Sequence, residues 1–238
     1  MLHIGCCGYT VAKTKYHEAF DIIELPQVFI QPPSPRVLAS WRSGAPDGFQ
    51  FVVKAWQLIT HDPMSATYAK MTTPIPDYKR NNYGFFRPTH EVWKAWEATE
   101  NAAEILGAKI IVFQCPPNFK PTEENVANVK AFFGKVRRND YTLVFETRGG
   151  WSEAEVTQLC SELGLAHCSD PFRNAPYHGD IKYLRLQGKG GYNYRYTDDD
   201  MRTIIEKYRD DEAYVMFNNS NMFHDALRMK ELCDGSAG

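Results

Sequence analysis

Cysteine is sparse in this chain. Its 238 residues hold six cysteines, Cys6, Cys7, Cys115, Cys160, Cys168 and Cys233, with no CxxC pair. Adjacent Cys6 and Cys7 do not readily bridge to each other, so a disulfide framework is excluded and reduced thiols are expected. The spacing also gives no support to a zinc cluster. No run of about 18 apolar residues occurs, which excludes a membrane-spanning helix. The opening MLHIGCCGYT lacks the basic start and apolar stretch of a signal peptide, so a cytoplasmic protein without a membrane partner is expected. Charge of one sign is missing too. Twenty-seven basic residues stand against 29 acidic ones, a net charge of −2. That balance removes the simplest case for bulk nucleic-acid binding, although a local basic cleft fits inside it. At 43% hydrophobic and 24% charged residues, disorder, collagen and coiled coil are excluded as well.

What is present is a rhythm. Short apolar runs, rich in β-branched and aromatic residues, occur at 2–7, 22–25, 49–53, 110–113, 142–145, 165–168, 183–186 and 213–217. They are continuous rather than alternating, which suits strands buried on both faces of a parallel sheet. Helical periodicity fills most of the gaps, at 34–43, 89–106, 122–136, 152–163, 197–208 and 221–232. The segment at 152 opens with the full capping box Ser152-Glu153-Ala154-Glu155 and stops at Gly164. Eight strands alternating with helices predict a single α/β domain over 1–238, a (β/α)8 TIM-type barrel. An open doubly wound sheet is the runner-up, but the first turn, Gly5-Cys6-Cys7-Gly8-Tyr9, does not fit GxGxxG. The connection after strand 6 is too short and too rich in Pro and Gly for a helix. A long insertion, 56–88, follows strand 3 and reads as a binding loop or lid.

In such barrels the active site lies at the C-terminal ends of the strands. The residues there are Cys6, Cys7 and Tyr9 after strand 1, Glu24 after strand 2, and Lys54, Trp56 and His61 after strand 3. Gln114 follows strand 4, Glu146, Arg148 and Trp151 follow strand 5, and Asp170 follows strand 6. Arg185 and Gln187 belong to strand 7, and Asn218 and Asn219 to strand 8. Lys54, Arg148 and Arg185 are suited to clamp a phosphate or carboxylate. Glu146 and Glu24 are the candidate general acid and base. Tyr9, Trp56 and Trp151 offer flat faces for a sugar or base, while Gln114, Gln187, Asn218 and Asn219 offer donors and acceptors. The plain alternative for the charged residues is a structural ion pair inside the barrel.

Six segments also carry a family resemblance. Ile4-Gly5-Cys6-Cys7-Gly8-Tyr9 resembles the IGTSGW opening of the DUF72 (YecE-like) family. Phe51-Val52-Val53-Lys54-Ala55-Trp56 with Ile59-Thr60-His61 resembles its F-x-V-K-A-P…I-T-H segment. Val112-Phe113-Gln114-Cys115-Pro116-Pro117 resembles LFQLPP, and Phe145-Glu146-Thr147-Arg148 with Trp151 resembles EFRH-x-SW. Tyr183-Leu184-Arg185-Leu186-Gln187-Gly188 resembles YxRLHG, and Tyr214-Val215-Met216-Phe217-Asn218-Asn219 resembles VYFNN. The order holds from residue 4 to about 230. The resemblance implies a TIM-type barrel and supplies no established activity. The departures are Cys6-Cys7 for Thr-Ser, Gly149-Gly150 before Trp151, and Gln187 where the family has His. The last removes a titratable group from the end of strand 7.

Three functions follow as expectations. The first is an enzyme of the hydrolase class that binds a small anionic substrate (phosphorylated, sugar or nucleotide-like) through Lys54, Arg148 and Arg185 and uses Glu146 and Glu24 for proton transfer. No cofactor is needed for it. The second is a metal-dependent hydrolase or isomerase, with Glu24, Glu146, Asp170 and His61 as ligands of a divalent ion. The third is a non-catalytic nucleic-acid-binding module. Its stacking surface would be Trp56, Tyr68, Tyr78, Tyr83, Phe85 and Phe86 of the insertion, interleaved with Lys70, Lys79, Arg80 and Arg87. The sequence leaves the oligomeric state open.

Overall fold

Eight parallel strands pair in chain order and close into a barrel, with β1 against β8. They are β1 (Leu2–Cys7), β2 (Ile22–Leu25), β3 (Gln50–Lys54), β4 (Ile110–Gln114), β5 (Thr142–Glu146), β6 (Ala166–Ser169), β7 (Lys182–Leu186) and β8 (Ala213–Phe217). The structure is a computed structural model and describes residues 1–138 and 140–235. The expected span 1–238 thus includes residues 139 and 236–238, which lie outside the described residues.

Each apolar run has two buried faces, and the period-2 geometry of a strand divides them. Cys7, Ile22, Val52, Ile110, Val112, Val144, Ala166, Cys168, Tyr183 and Met216 form one cluster, the filling of the barrel. Their chain neighbours, among them Cys6, Ile23, Val53, Ile111, Phe113, Phe145, Leu184 and Phe217, join a second cluster that packs under the helices. Gly5 is where the filling runs out of room, since a Cβ there would meet the Ile22 carbonyl oxygen at 2.6 Å.

The helices are α1 (Lys13–Ala19), α2 (Pro26–Ile30), α3 (Pro35–Ser43), α4 (Gln57–Thr60), α5 (His90–Leu106), α6 (Glu123–Phe133), α7 (Glu153–Leu163), α8 (Asp198–Tyr208) and α9 (Met222–Gly235). Their ends follow the chemistry of the chain. Ser152 and Glu155 make the expected capping box of α7, and Gly164 ends it in the left-handed conformation at φ 55°. Thr197 and Asp200 cap α8 in the same way. Helix α6 stops at Phe133, short of the expected 136, because Gly134 interrupts it. The short α1, α2 and α4 have no counterpart in the periodicity. They span seven, five and four residues, too few to repeat a pattern.

The two irregular segments differ in kind. Between β6 and β7 the chain makes turns and no helix, as expected. The insertion 56–88 contains α4 and two 3-10 turns, Ala66–Lys70 and Asp77–Asn82. It is pinned to the outer core. Phe86, with no exposed surface, enters an aromatic cluster of Phe113, Phe119, Phe132, Phe133 and Phe145. Of the six aromatic residues expected to form a stacking surface, only Tyr78 is exposed. Tyr68 donates its hydroxyl to the His61 carbonyl at 2.8 Å, and the Trp56 indole donates to the Ile30 carbonyl at 3.1 Å.

Candidate functional site

The inner face of each strand continues upward from the apolar filling. Two residues beyond Ile22, Val52, Val112, Val144 and Tyr183 stand Glu24, Lys54, Gln114, Glu146 and Arg185. All five are buried. The same alternation that fills the barrel with apolar groups therefore brings five polar groups from five strands together at its C-terminal end.

Arg185 is the hub. Its Nη1 donates to Glu146 Oε2 at 2.6 Å and to Gln114 Oε1 at 3.0 Å, and its Nη2 donates to Glu24 Oε1 at 2.9 Å. Nη2 also lies 3.6 Å from Cys7 Sγ. The second oxygen of Glu24 accepts from the Tyr183 hydroxyl at 2.9 Å. The other oxygen of Glu146 accepts from Arg148 Nε at 2.7 Å and Gln187 Nε2 at 3.2 Å. Every oxygen of both carboxylates thus accepts at least one hydrogen bond. Burial pushes the Glu146 carboxyl up, but Arg185, Arg148 and Lys54 more than reverse this and hold it at about 2. The same carboxylates raise Arg185 well above its ordinary value, against the opposing effect of burial.

Lys54 is the exception in this network. Its residue is 7% exposed, and among the described residues its ammonium makes no hydrogen bond and no ion pair. It sits over the Phe29 ring, 3.6 Å from the centroid. Burial, and after it the Arg185 charge, push Lys54 down to about 7, with Glu24 and Glu146 pulling the other way. His61 edges onto the same Phe29 ring, bonds Thr60 Oγ1 through Nδ1, and is pushed down to about 3 by burial and then by Lys54.

Beside this cluster a cleft of 430 Å³ opens between the ends of β5, β6 and β7. Strand pairing explains its position. Strands β5 and β6 pair only at Val144–Ala166 and Phe145–His167, and beyond that point they part. The cleft is lined by Glu146, Arg148 and Trp151 on one side and by His167, Ser169, Asp170, Arg173 and Tyr177 on the other, with Gln187 between. Arg148 is partly exposed, and its Nε is fixed on Glu146. Its two terminal nitrogens have no partner among the described residues. Arg173 is 65% exposed at its side chain and lies 4.0 Å from Asp170. Ser169 Oγ is buried and unpartnered. His167 stacks on Tyr177 at 4.9 Å and accepts the Tyr177 N–H at Nδ1, which leaves Nε2 to carry the ring proton. Burial holds His167 neutral, at about 4, and raises the Asp170 carboxyl.

Of the residues singled out in the sequence, Glu24, Lys54, Gln114, Glu146, Arg148, Arg185 and Gln187 gather at one place, with Trp151 on the cleft wall. Glu24, Lys54, Gln114 and Arg185 stand beside the cleft without lining it, and Tyr9, Trp56, Asn218 and Asn219 do not line it either. Tyr9 bonds His17 and packs edge-on against Tyr16. Asn219 ties the Tyr194 carbonyl to Asp225. Arg173, His167, Ser169 and Tyr177 were not anticipated. The irregular connection after strand 6, where two of them lie, was the only signal for them.

The four acidic and histidine side chains considered for a divalent ion do not converge as a ligand set. The positive charge between Glu24 and Glu146 is a guanidinium, and His61 is turned to Thr60. Among the described residues no three His, Cys, Asp or Glu side chains stand in an arrangement that would hold an ion.

With the barrel and its polar crown described, the class of protein is defined as a closed parallel TIM-type barrel. The profile of the family described as "Protein of unknown function DUF72" matches residues 4–237, and the chain belongs to that family. No curated protein matches it. A DUF72 family protein from Enterococcus faecalis V583 is 18% identical, with 98% of each chain covered and a TM-score of 0.73. One from Thermotoga maritima MSB8 is 19% identical over 98% of this chain and 99% of the other, with a TM-score of 0.69. A D-tagatose 3-epimerase-like protein is 14% identical over 97% of this chain and 95% of the other, with a TM-score of 0.59. At these identities the likeness is one of fold. No helix is long and apolar enough to cross a membrane among the described residues.

Proposed function

We propose that this chain is an enzyme that binds a small anionic substrate, phosphorylated or carboxylated, in the cleft between the ends of β5, β6 and β7. The observation that carries this reading is Arg148. Glu146 fixes its Nε, so the guanidinium is oriented in advance, while its two terminal nitrogens remain free for a bidentate contact with an anion. Arg173 adds a second cation at the mouth, and Gln187, Ser169 and Tyr177 add neutral polar groups. The charge balance points the same way. Glu24, Glu146 and Asp170 are matched by Arg185, Arg148 and Arg173, so a protonated Lys54 leaves the site in need of negative charge.

The geometry alters one part of the expectation. Glu146 and Glu24 are held by arginine and tyrosine, and Glu146 gains a proton only near pH 2. Proton transfer at neutral pH therefore falls to Lys54 in our reading, with Glu146 acting as a positioning residue for Arg148 and Arg185.

The test is calorimetric titration of inorganic phosphate and of a panel of sugar phosphates at low salt. Arg148→Gln should weaken binding at least about tenfold, since a charge-assisted bidentate contact is lost. The variant should leave the unfolding midpoint little changed, because Glu146 keeps Arg185. No binding of any anion to the native protein would overturn the reading.

A further inference from the structure

Lys54 is the third cation in a site with two carboxylates, and neither carboxylate accepts a hydrogen bond from it among the described residues. Each of the four oxygens of Glu24 and Glu146 already accepts a bond from Arg185, Tyr183, Arg148 or Gln187. Without an acceptor, and packed on Phe29 instead, the Lys54 side chain is not held as one half of an ion pair. It is nonetheless delivered to the active end of the barrel by the inward register of β3, beside Glu24 of β2 and opposite the arginine hub of β7. Its Nζ also differs from Arg185 Nε and Ser169 Oγ, which are sealed from solvent and unpartnered; a remnant of surface remains on Lys54. A desolvated amine with no counter-ion on a rigid strand end is the arrangement that makes lysine a nucleophile.

We propose that Lys54 is the amine nucleophile of this site and forms an imine with a small aldehyde or ketone that carries a phosphate or carboxylate. The proposal rests on the anion reading given above for the charged part of the substrate. The nitrogen lone pair attacks the carbonyl carbon, and the proton lost by nitrogen passes to the carbonyl oxygen to give a carbinolamine. The C–O bond then breaks as the hydroxyl takes the remaining N–H proton, a C=N bond forms and water leaves, and the imine nitrogen takes up one proton from solvent. No oxidant, reductant or further reactant is consumed. The protonated imine returns a positive charge to a place where Glu24 and Glu146 attract one. Because burial lowers the proton affinity of Lys54, the free amine is available near pH 7.

The experiment uses the native full chain. It is incubated with glyceraldehyde 3-phosphate or with glyceraldehyde, the imine is trapped with sodium cyanoborohydride, and each lysine peptide is quantified by mass spectrometry. The expected result is labelling of Lys54 about tenfold or more above the exposed lysines, half-maximal near pH 7, and about tenfold faster with the phosphorylated probe. Strong labelling of Lys54 that is equal for the two probes supports imine formation and overturns the anion reading alone. Labelling of Lys54 no stronger than that of exposed lysines by either probe overturns the proposal, and leaves the anion reading to stand on its own titration.

Discussion

Replacing Glu146 with Gln keeps the shape of the side chain and deletes its charge. In the native barrel that carboxylate accepts from Arg185 at 2.6 Å, Arg148 at 2.7 Å and Gln187 at 3.2 Å. A Gln amide has one acceptor and one donor group, so at least one guanidinium would face an N–H. Removing one partner of a buried ion pair costs about 3–5 kcal/mol. A second route gives a similar size. The fall of the Glu146 carboxyl from its ordinary 4.5 to about 2 corresponds to about 3 kcal/mol of folding free energy. For a chain of this length such a loss lowers the unfolding midpoint by roughly 10 °C. The pH dependence has a definite sign. The folded-state value lies below the unfolded one, so the stabilisation is complete above pH 4.5 and is lost as pH falls from there toward 2. Urea unfolding at pH 7, 4.5 and 3 is the assay. The native protein should lose about 2 kcal/mol across that window from this group, and the variant should start lower at pH 7 and approach it in acid. A variant within 1 kcal/mol of the native protein at pH 7, running parallel to it in acid, would refute the ion-pair network at the barrel end.

Two further perturbations probe other parts of the argument. Lys54→Met should raise stability by a few kcal/mol at pH 7 and below, because the native amine is proton-poor when folded and proton-rich when unfolded between about 7 and its ordinary 10.5. That advantage should vanish by pH 10.5, and a variant no more stable than the native protein at pH 7 would contradict the burial of an unpaired amine. Phe86→Ala empties the centre of the aromatic cluster and should cost about 3–5 kcal/mol, with new tryptic cleavage after Lys70, Lys79 or Arg80. A loss under 1 kcal/mol with an unchanged digest would mean that Phe86 does not anchor the insertion.

Much of the barrel is legible in the chain because its signals are local. An apolar run such as Ile110–Phe113 says strand by its length and branching, and Ser152 with Glu155 says helix start by hydrogen bonds that need only three residues. The members of the polar crown are legible for the same reason. They stand two residues beyond an inward apolar side chain, so Glu24, Lys54, Gln114, Glu146 and Arg185 can be picked out by counting. Helices α1, α2 and α4 escape notice because a helix of four to seven residues owes its existence to what it packs on, and no period can repeat in it. The aromatic residues of the insertion mislead because exposure is not written in residue type. Phe86 and Tyr78 look alike in sequence, yet one is fully buried and the other 82% exposed.

What the sequence by itself determined was the barrel, its polar strand ends and the overall charge balance, all of which follow from residue type and spacing. Only the tertiary structure decided what each charge does. Arg185 meets Glu24 and Glu146 across 161 and 39 residues of chain, and this contact ties both candidate acid–base groups into one hydrogen-bonded network. Among the described residues Lys54 is left with the Phe29 ring and no hydrogen bond, and the terminal nitrogens of Arg148 make none. The parting of β5 and β6 then sets a cleft beside them, walled in part by Arg173 and Tyr177 from a segment without helix or strand. The physical reason is that a side chain's proton affinity and hydrogen bonds depend on burial and on neighbours a few ångströms away, and closure of the barrel alone chooses those neighbours.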